Sequence, residues 1–433
     1  MESTYQIHNK KFETNFSNEE SVTSPRSGFV NVIRRVPDIS YAEFRSDHLI
    51  PNQPVIIGSA LIQDWECTRS WRATNQTAEV QTDAGLQSIS SKTSHPNLAH
   101  MRQLYGNLRV PVDEDGWRCE ETLSDVLDQW QNQKGEKVYV KDWHLALQLE
   151  RQSSDSPLFY RTPSLFADDW MNDYYLQRTQ DDFRFVYMGP TGTQTKLHRD
   201  VYGSYSWSTN VVGRKRWWLF PPHVTSYITR PNGETIGDEK SIPENGSMDD
   251  LLDDWPDWEL ARQAMTVVEQ EEGETIFVQT EWLVPSSTNR GKFAEMADSG
   301  SQVLNLTFCI SINHNWSNSH NVESMYHAMV DAVQRVEDSI DDVKELLKTQ
   351  HPNGGWEEEW RTIVQDLLKK DAGWDWQTFL EMVELNLCRV SSEGGPSYPI
   401  QWMNYGPSSE LTGGSMTVSQ ASLVLAQFRT GLS

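Results

Sequence analysis

The sequence predicts an α+β fold, a jelly-roll β-barrel with flanking helices and a helical C-terminal region. Three observations carry this reading. Apolar residues alternate with polar ones in short runs across residues 183–222, as half-buried strands do, and glycine and proline break the runs. Beyond Trp316 the apolar period changes to that of helices. The chain has 433 residues with 18 Trp and 11% aromatics, enough apolar surface for one large core and against disorder.

Taken in chain order, residues 1–28 read as a disordered tail, and 29–317 as one domain whose barrel spans about 180–317. Before the barrel, helices and short strands mix. Residues 75–100 are polar and Ser/Thr-rich and read as a loop, while 122–133 and 158–175 read as loosely helical. Phe183, Phe185 and Tyr187 then alternate as a strand, and Gly189-Pro190-Thr191-Gly192 ends it. Tyr205, Trp207 and Val211 run to a Gly213-Arg214 turn, from which Arg216-Trp217-Trp218-Leu219-Phe220 returns and stops at Pro221-Pro222. Strand, loop, strand, tight turn, strand is how a jelly roll presents side chains to its interior. The acidic stretch 233–257 reads as a solvated surface insertion. Residues 318–433 read as helical, with Met325, Met329, Val333, Ile340, Val343 and Leu347, then Trp360, Ile363, Val364 and Leu367, then Trp376, Phe379, Leu380, Val383 and Leu387 at helical spacing.

Charge and cysteine content narrow the function. A net charge of −25 disfavours direct nucleic-acid binding and suits a basic partner surface. Cys67, Cys119, Cys309 and Cys388 are scattered, without zinc spacing, which fits a reducing compartment, cytoplasmic or nuclear. There is no apolar run long enough for a membrane span, and the first residues lack a secretory h-region, so no membrane partner is expected.

The chemistry sits in the loop after the first barrel strands. His198 and Asp200 form a His-x-Asp pair, and an imidazole with a carboxylate two residues on suits a facial metal triad of two His and one carboxylate. Such a pair is weak evidence alone. With 11 His and 62 acidic residues, about one or two His-x-Asp/Glu pairs arise by chance, mostly as solvated turns. Lys215, in Arg214-Lys215-Arg216, could likewise be a hairpin charge, and Tyr139 a core tyrosine.

In context the segment resembles the JmjC family of iron(II)- and 2-oxoglutarate-dependent oxygenases. Val36-Pro37, Phe44 and Pro51-Asn52-Gln53-Pro54-Val55-Ile56-Ile57 are similar to the family's lead-in. Val138-Tyr139-Val140-Lys141-Asp142-Trp143-His144, Gly273-Glu274-Thr275-Ile276-Phe277-Val278 and Ile310-Ser311-Ile312-Asn313-His314-Asn315-Trp316 are similar to later landmarks. The resemblance implies a cupin-type double-stranded β-helix and the cofactors Fe(II) and 2-oxoglutarate. It implies His198 and Asp200 as the first two iron ligands, and Lys215, Tyr139, Thr195 and Asn313 as 2-oxoglutarate contacts. The Gly213-Arg214-Lys215-Arg216-Trp217-Trp218 and Ile312-Asn313-His314-Asn315-Trp316 runs are most similar to the small JmjC-only protein hydroxylases. That implies lysyl hydroxylation of a translation factor, with the translation termination factor as protein partner and C-terminal helices able to form a homodimer.

The family pattern fails after Val278. A strand of the form Pro-x-x-Trp-x-His should run directly into Val-x-Asn-Leu. Here a polar stretch, 279–301, precedes Gln302-Val303-Leu304-Asn305-Leu306, and no histidine lies between His223 and His314. Aligned from the right, Ser301 stands in the place of the third ligand; aligned from the left, Val284 does. His314 is a weak substitute, since it belongs to a motif that ordinarily coexists with the ligand. Three explanations stand: translated non-coding sequence replacing the ligand strand, which is favoured, a real insertion after loss of catalysis, or a rebuilt site. Iron and 2-oxoglutarate binding are expected to be weak or lost. The alternatives to a hydroxylase are a non-catalytic cupin binding module and a histone lysine or arginine demethylase, the latter weakened by the lack of a zinc-type Cys/His cluster or basic reader patch.

Overall fold

The computed structural model describes residues 32–391, except 75–77, 83–84, 90–93, 115, 133, 154–157, 199, 229–235, 237–254 and 280–300. The expected tail, nearly all of the acidic stretch, Val284 and the chain beyond 391 thus lie outside the described residues.

The strands, in chain order, begin with β1 (Arg34–Val36) and β2 (Val55–Ile57), whose three residues are all buried. Four short strands follow: β3 (Arg72–Thr74), β4 (Ala78–Thr82), β5 (Gly85–Ile89) and β6 (Ser94–Pro96). β3 pairs with β6, and β4 with β5. This corrects the loop expected over 75–100. Ribbon hydrogen bonds are made by the backbone and do not require an apolar stripe, so polar composition concealed them.

Helix α1 (Leu98–Tyr105) leads to the hairpin of β7 (Arg109–Glu114) and β8 (Trp117–Thr122). Thr122 then caps α2 (Leu123–Gln131), its side chain accepting from the Asp125 amide, which is why that helix starts where it does. After β9 (Val138–Trp143) come α3 (Leu145–Gln152) and α4 (Trp170–Arg178). The helix expected from 158 starts only at Trp170, because Asp169 accepts from the Asn172 amide as N-cap and Ser164–Phe166 is a short 3-10 turn after Pro163.

The barrel is built from β10 (Arg184–Gly189), β11 (Gln194–His198), β12 (Tyr205–Val212), β13 (Lys215–Leu219), β14 (Thr266–Gln270), β15 (Thr275–Val278), β16 (Ser301–Asn305) and β17 (Cys309–Trp316). Helix α5 (Trp258–Ala264) precedes β14. Two sheets result. One has nine strands in the order β1-β2-β15-β12-β17-β10-β9-β7-β8, the other four in the order β11-β16-β13-β14. Apart from the parallel β1–β2 pair, both are antiparallel throughout. Ile56, Ile276, Val278, Trp217, Leu219 and Val303 fill the space between them. The outer face of the large sheet packs on a wider core that includes Phe44, Trp71, Phe166, Trp207 and Trp316. The β12–β13 turn depends on Gly213, at φ +83, where a Cβ would lie 2.1 Å from the Phe308 carbonyl oxygen.

Four helices follow: α6 (Val322–Ser339), α7 (Asp341–Gln350), α8 (Trp356–Ala372) and α9 (Trp376–Ser391). Their apolar stripes meet α4 in a separate core containing Trp170, Met325, Met329, Trp360, Trp374 and Phe379.

Candidate active site

Strand alternation decides which side chains enter the barrel. On β17, Ile310, Ile312 and Trp316 belong to the outer core, so Ser311, Asn313 and Asn315 face the opposite way. The register sets Ser206 and Ser208 of β12 beside Asn315 and Asn313, and Tyr187 of β10 beside Ser311. From the other sheet come Lys215 and Trp217 of β13, Val303 of β16 and Thr195 of β11. Ser206, Ser208, Asn313, Asn315 and Tyr187, with these residues and Tyr139 of β9, line a solvent-open cavity, and His198 and Asp200 border it.

Lys215 is the electrostatic centre of this cavity. Its ammonium is buried, donates to Ser311 Oγ at 2.6 Å and lies 5.8 Å from the Tyr187 ring centroid. Among the described residues it forms no carboxylate ion pair. Burial pulls its pKa down to about 8, with the nearby Cys309 sulfur opposing. Asn313 donates to the same Ser311 hydroxyl at 3.1 Å. Tyr139 is buried, its ring 6.0 Å from that of Tyr187. Burial raises its hydroxyl pKa, while Thr195 and Asn305 beside it pull the other way. Tyr187 in turn donates its hydroxyl to Asp142, a residue at φ +55 in β9 that also lies 3.5 Å from Arg118. A desolvated cation ringed by hydroxyl and amide donors is a receptor for a small carboxylate.

His198 ends β11 with Nδ1 3.0 Å from the Lys196 carbonyl oxygen, so among the described residues Nε2 is the ring atom left to ligate. Asp200 accepts at Oδ1 from Asn315 Nδ2 at 2.7 Å, and the same amide reaches Ser204 Oγ at 3.3 Å. Across the small sheet, backbone position 301 stands opposite His198 on one side and Leu219 on the other. Ser301 therefore occupies the strand position facing the His-x-Asp loop. His314 borders the cavity, but its imidazole is engaged on the other side of the strand. It sits on the outer-core side of β17 with Nε2 2.7 Å from the Tyr160 hydroxyl, and its ring stacks on Trp207 at 4.1 Å. Burial holds its pKa well below the ordinary value, so it is neutral and fixed in the core.

Among the described residues, the set of three ligating side chains close enough to share an ion is His144, Asp181 and Asp182. Its central carboxylate is already engaged. Asp182 takes His144 Nδ1 at 2.6 Å on one oxygen and Arg184 Nε at 2.5 Å on the other, while Glu150 takes the far side of that guanidinium. This is an ion-pair network that anchors α3 to β10. Sequence reasoning did not single out Ser311, Asn315, Tyr187 or Asp142. The pairing of β17 with β10 and β12 sets Ser311 and Asn315 beside Tyr187 and Ser206, Tyr187 reaches Asp142 of β9, and no local motif marks any of them.

The comparisons agree with this geometry. A model of the cupin-like domain matches residues 41–322. The chain is 29% identical to the 2-oxoglutarate and iron-dependent oxygenase JMJD4 of Gallus gallus, over 83% of this chain and 75% of that protein. It is 30% identical to the Homo sapiens protein of the same name, over 72% of this chain and 67% of the other. It is also 30% identical to the arginine-specific demethylase JMJ20 of Arabidopsis thaliana, over 71% of this chain and 62% of that one.

Proposed function

The chain belongs to the cupin-like JmjC family of 2-oxoglutarate- and iron-dependent oxygenases, and on that premise we propose that it is built as a protein hydroxylase acting on a lysine of a translation factor. The observation that supports an oxygenase scaffold is the buried Lys215 ammonium, which faces Thr195, Tyr139 and Asn313 rather than a carboxylate. These residues fit 2-oxoglutarate, whose distal carboxylate would take the ammonium and the neighbouring hydroxyls. The iron does not have a full set. His198 and Asp200 offer the right donors, but the strand position facing His198 is a serine, and among the described residues no third ligating side chain joins them. No oxidative step is therefore assigned to the chain as written. Its acidity, net −25, favours a basic peptide as substrate, in the cytoplasm or nucleus, and the proposed assembly is a homodimer through the C-terminal helices.

Calorimetry tests both halves. The chain should bind 2-oxoglutarate through Lys215 and hold Fe(II) weakly, because a protein ligand is missing. Ser301→His should gain iron affinity and form succinate with lysine-bearing release-factor peptides. Tight stoichiometric iron binding by the unaltered chain would refute the missing-ligand argument. If the repaired protein binds both cofactors but ignores those peptides, the substrate fails and the oxygenase class stands; arginine-bearing peptides are then the next substrates to try, since the Arabidopsis relative is an arginine-specific demethylase.

The second reading is a non-catalytic cupin that binds a partner. The serine opposite His198 favours it. It wins if Ser301→His binds neither iron nor 2-oxoglutarate.

A further inference from the structure

The loop that carries Asp200 is held from outside the barrel. After Asp200 the chain turns through Val201–Gly203 with Tyr202 at φ 58 and ψ 18, a left-handed conformation. That conformation is disfavoured for a non-glycine residue, because its Cβ crowds the following carbonyl oxygen. Something must repay this cost, and the loop's own hydrogen bonds are modest: Gly203 N to Asp200 O at 3.2 Å and Ser204 N to Val201 O at 3.0 Å.

The compensating contact comes from the C-terminal helices. The Tyr202 ring lies on Trp374, with centroids 4.2 Å apart, and meets Phe183 edge-on at 6.4 Å. Trp374 is fully buried in the helical core and follows Gly373, the residue that ends α8. Gly373 has φ +75, and a Cβ built on it would lie 2.6 Å from the Tyr202 hydroxyl oxygen, so the turn has the one residue that leaves room for that phenol. On the barrel side, Asn315 clasps both Asp200 and Ser204. The loop is thus gripped between β17 and a turn of the helical region.

We propose that the C-terminal helices are a positioning part of the metal site: the Gly373–Trp374 turn seats Tyr202 and thereby fixes the backbone that aims the Asp200 carboxylate. The proposal rests on the reading of Asp200 as a metal ligand. Tyr202 and Trp374 act through Asp200 and touch neither substrate nor cofactor. A ligand on a loop gains precision only if a supporting shell holds it, and here that shell belongs to a different core from the barrel's.

The test compares Tyr202→Ala and Tyr202→Phe in the full chain by amide hydrogen exchange over residues 200–204. Co(II) titration in the Ser301→His background and 2-oxoglutarate binding without metal complete it. Tyr202→Ala should speed exchange at Gly203 and Ser204 about tenfold or more. It should weaken Co(II) binding about tenfold, the usual loss when an outer-shell partner goes. Binding of 2-oxoglutarate at Lys215 should stay within about twofold, since Tyr202 does not line that cavity. Tyr202→Phe keeps the tilted ring contact with Trp374 and should restore both affected readouts. Unchanged exchange and Co(II) affinity in folded Tyr202→Ala would overturn the proposal. So would an equal loss of 2-oxoglutarate binding, which would mean general loosening. Absence of Co(II) uptake by the Ser301→His parent would instead sink the ligand reading of Asp200, and the exchange arm would still decide whether the helices fix the loop.

Discussion

Replacing Lys215 with methionine should make the free protein more stable and nearly abolish 2-oxoglutarate binding, two effects of opposite sign from one substitution. The stability gain follows from the cost of the buried charge. Its pKa falls from an ordinary 10.5 to about 8, which corresponds to about 3 kcal/mol of penalty at neutral pH, at 1.36 kcal/mol per tenfold. Methionine keeps most of the volume and needs no hydration. The lost bond to Ser311 subtracts about 1 kcal/mol, but that hydroxyl keeps the Asn313 amide at 3.1 Å and is not orphaned. The net expectation is a gain of about 2 kcal/mol. Binding moves the other way, because a buried charge-assisted contact to a carboxylate is worth about 2–5 kcal/mol when one partner is truncated. Affinity should fall at least about thirtyfold, by the same conversion.

Urea denaturation with and without 2-oxoglutarate, together with calorimetry, reads both effects. The pH dependence adds an independent check. The folded-state value of about 8 lies below the unfolded 10.5, so the unfolded chain holds more protons between them. Wild-type stability should therefore rise as pH climbs through that window, and the Lys215→Met protein should lack the rise. A variant that is less stable than wild type yet binds 2-oxoglutarate unchanged would show that Lys215 is an ordinary structural lysine and would refute the reasoning.

Three further outcomes follow from the same contacts. For wild type, 2-oxoglutarate affinity measured by calorimetry should be flat below pH 8 and weaken about tenfold by pH 9, because binding must then first protonate Lys215. Asn315→Ala removes the 2.7 Å donor to Asp200 and should cost about tenfold in Co(II) affinity in the Ser301→His background, with 2-oxoglutarate binding kept. Gly213→Ala places a Cβ 2.1 Å from the Phe308 carbonyl at φ +83 and should cost about 2 kcal/mol or more in thermal or urea unfolding.

Much of the barrel was legible because its strands are half-buried. Phe185 and Tyr187 on one side of β10 and Val186 and Met188 on the other give the period of two, and Gly213 marks the turn that only glycine can make. His198, Asp200 and Lys215 could be read because their residue types are unusual where they stand. Ser311 and Asn315 could not. A serine or asparagine on a strand carries no chemical signal until register sets it beside Lys215 or Asp200, far away in the chain. The ribbons before α1 were hidden for the converse reason, since backbone pairing leaves no mark on polar side chains. The grip of Trp374 on Tyr202 joins two cores that the sequence presents as separate domains, and nothing in either segment names the other.

The two halves of the cavity depend on different strands, and this decides what the departure after Val278 can have damaged. Tyr139, Thr195, Lys215 and Asn313 come from β9, β11, β13 and β17, and none of these strands borders residues 280–300. β16 does, yet it pairs on both sides from its first residue. Position 301 faces His198 and Leu219, and Asn305 closes the other end on Thr193, N to O at 3.0 Å and side chain to side chain at 2.9 Å. A sheet that had lost the ligand strand would have left β11 and β13 with unpaired backbone groups facing each other, at a cost paid across the whole small sheet. Instead β16 is paired on both sides from Ser301 onward, so among the described residues the small sheet is continuous at the position facing His198. On the reading proposed above, a single substitution at 301, and not reconstruction of the barrel, is therefore the experiment that separates an interrupted oxygenase from a binding module.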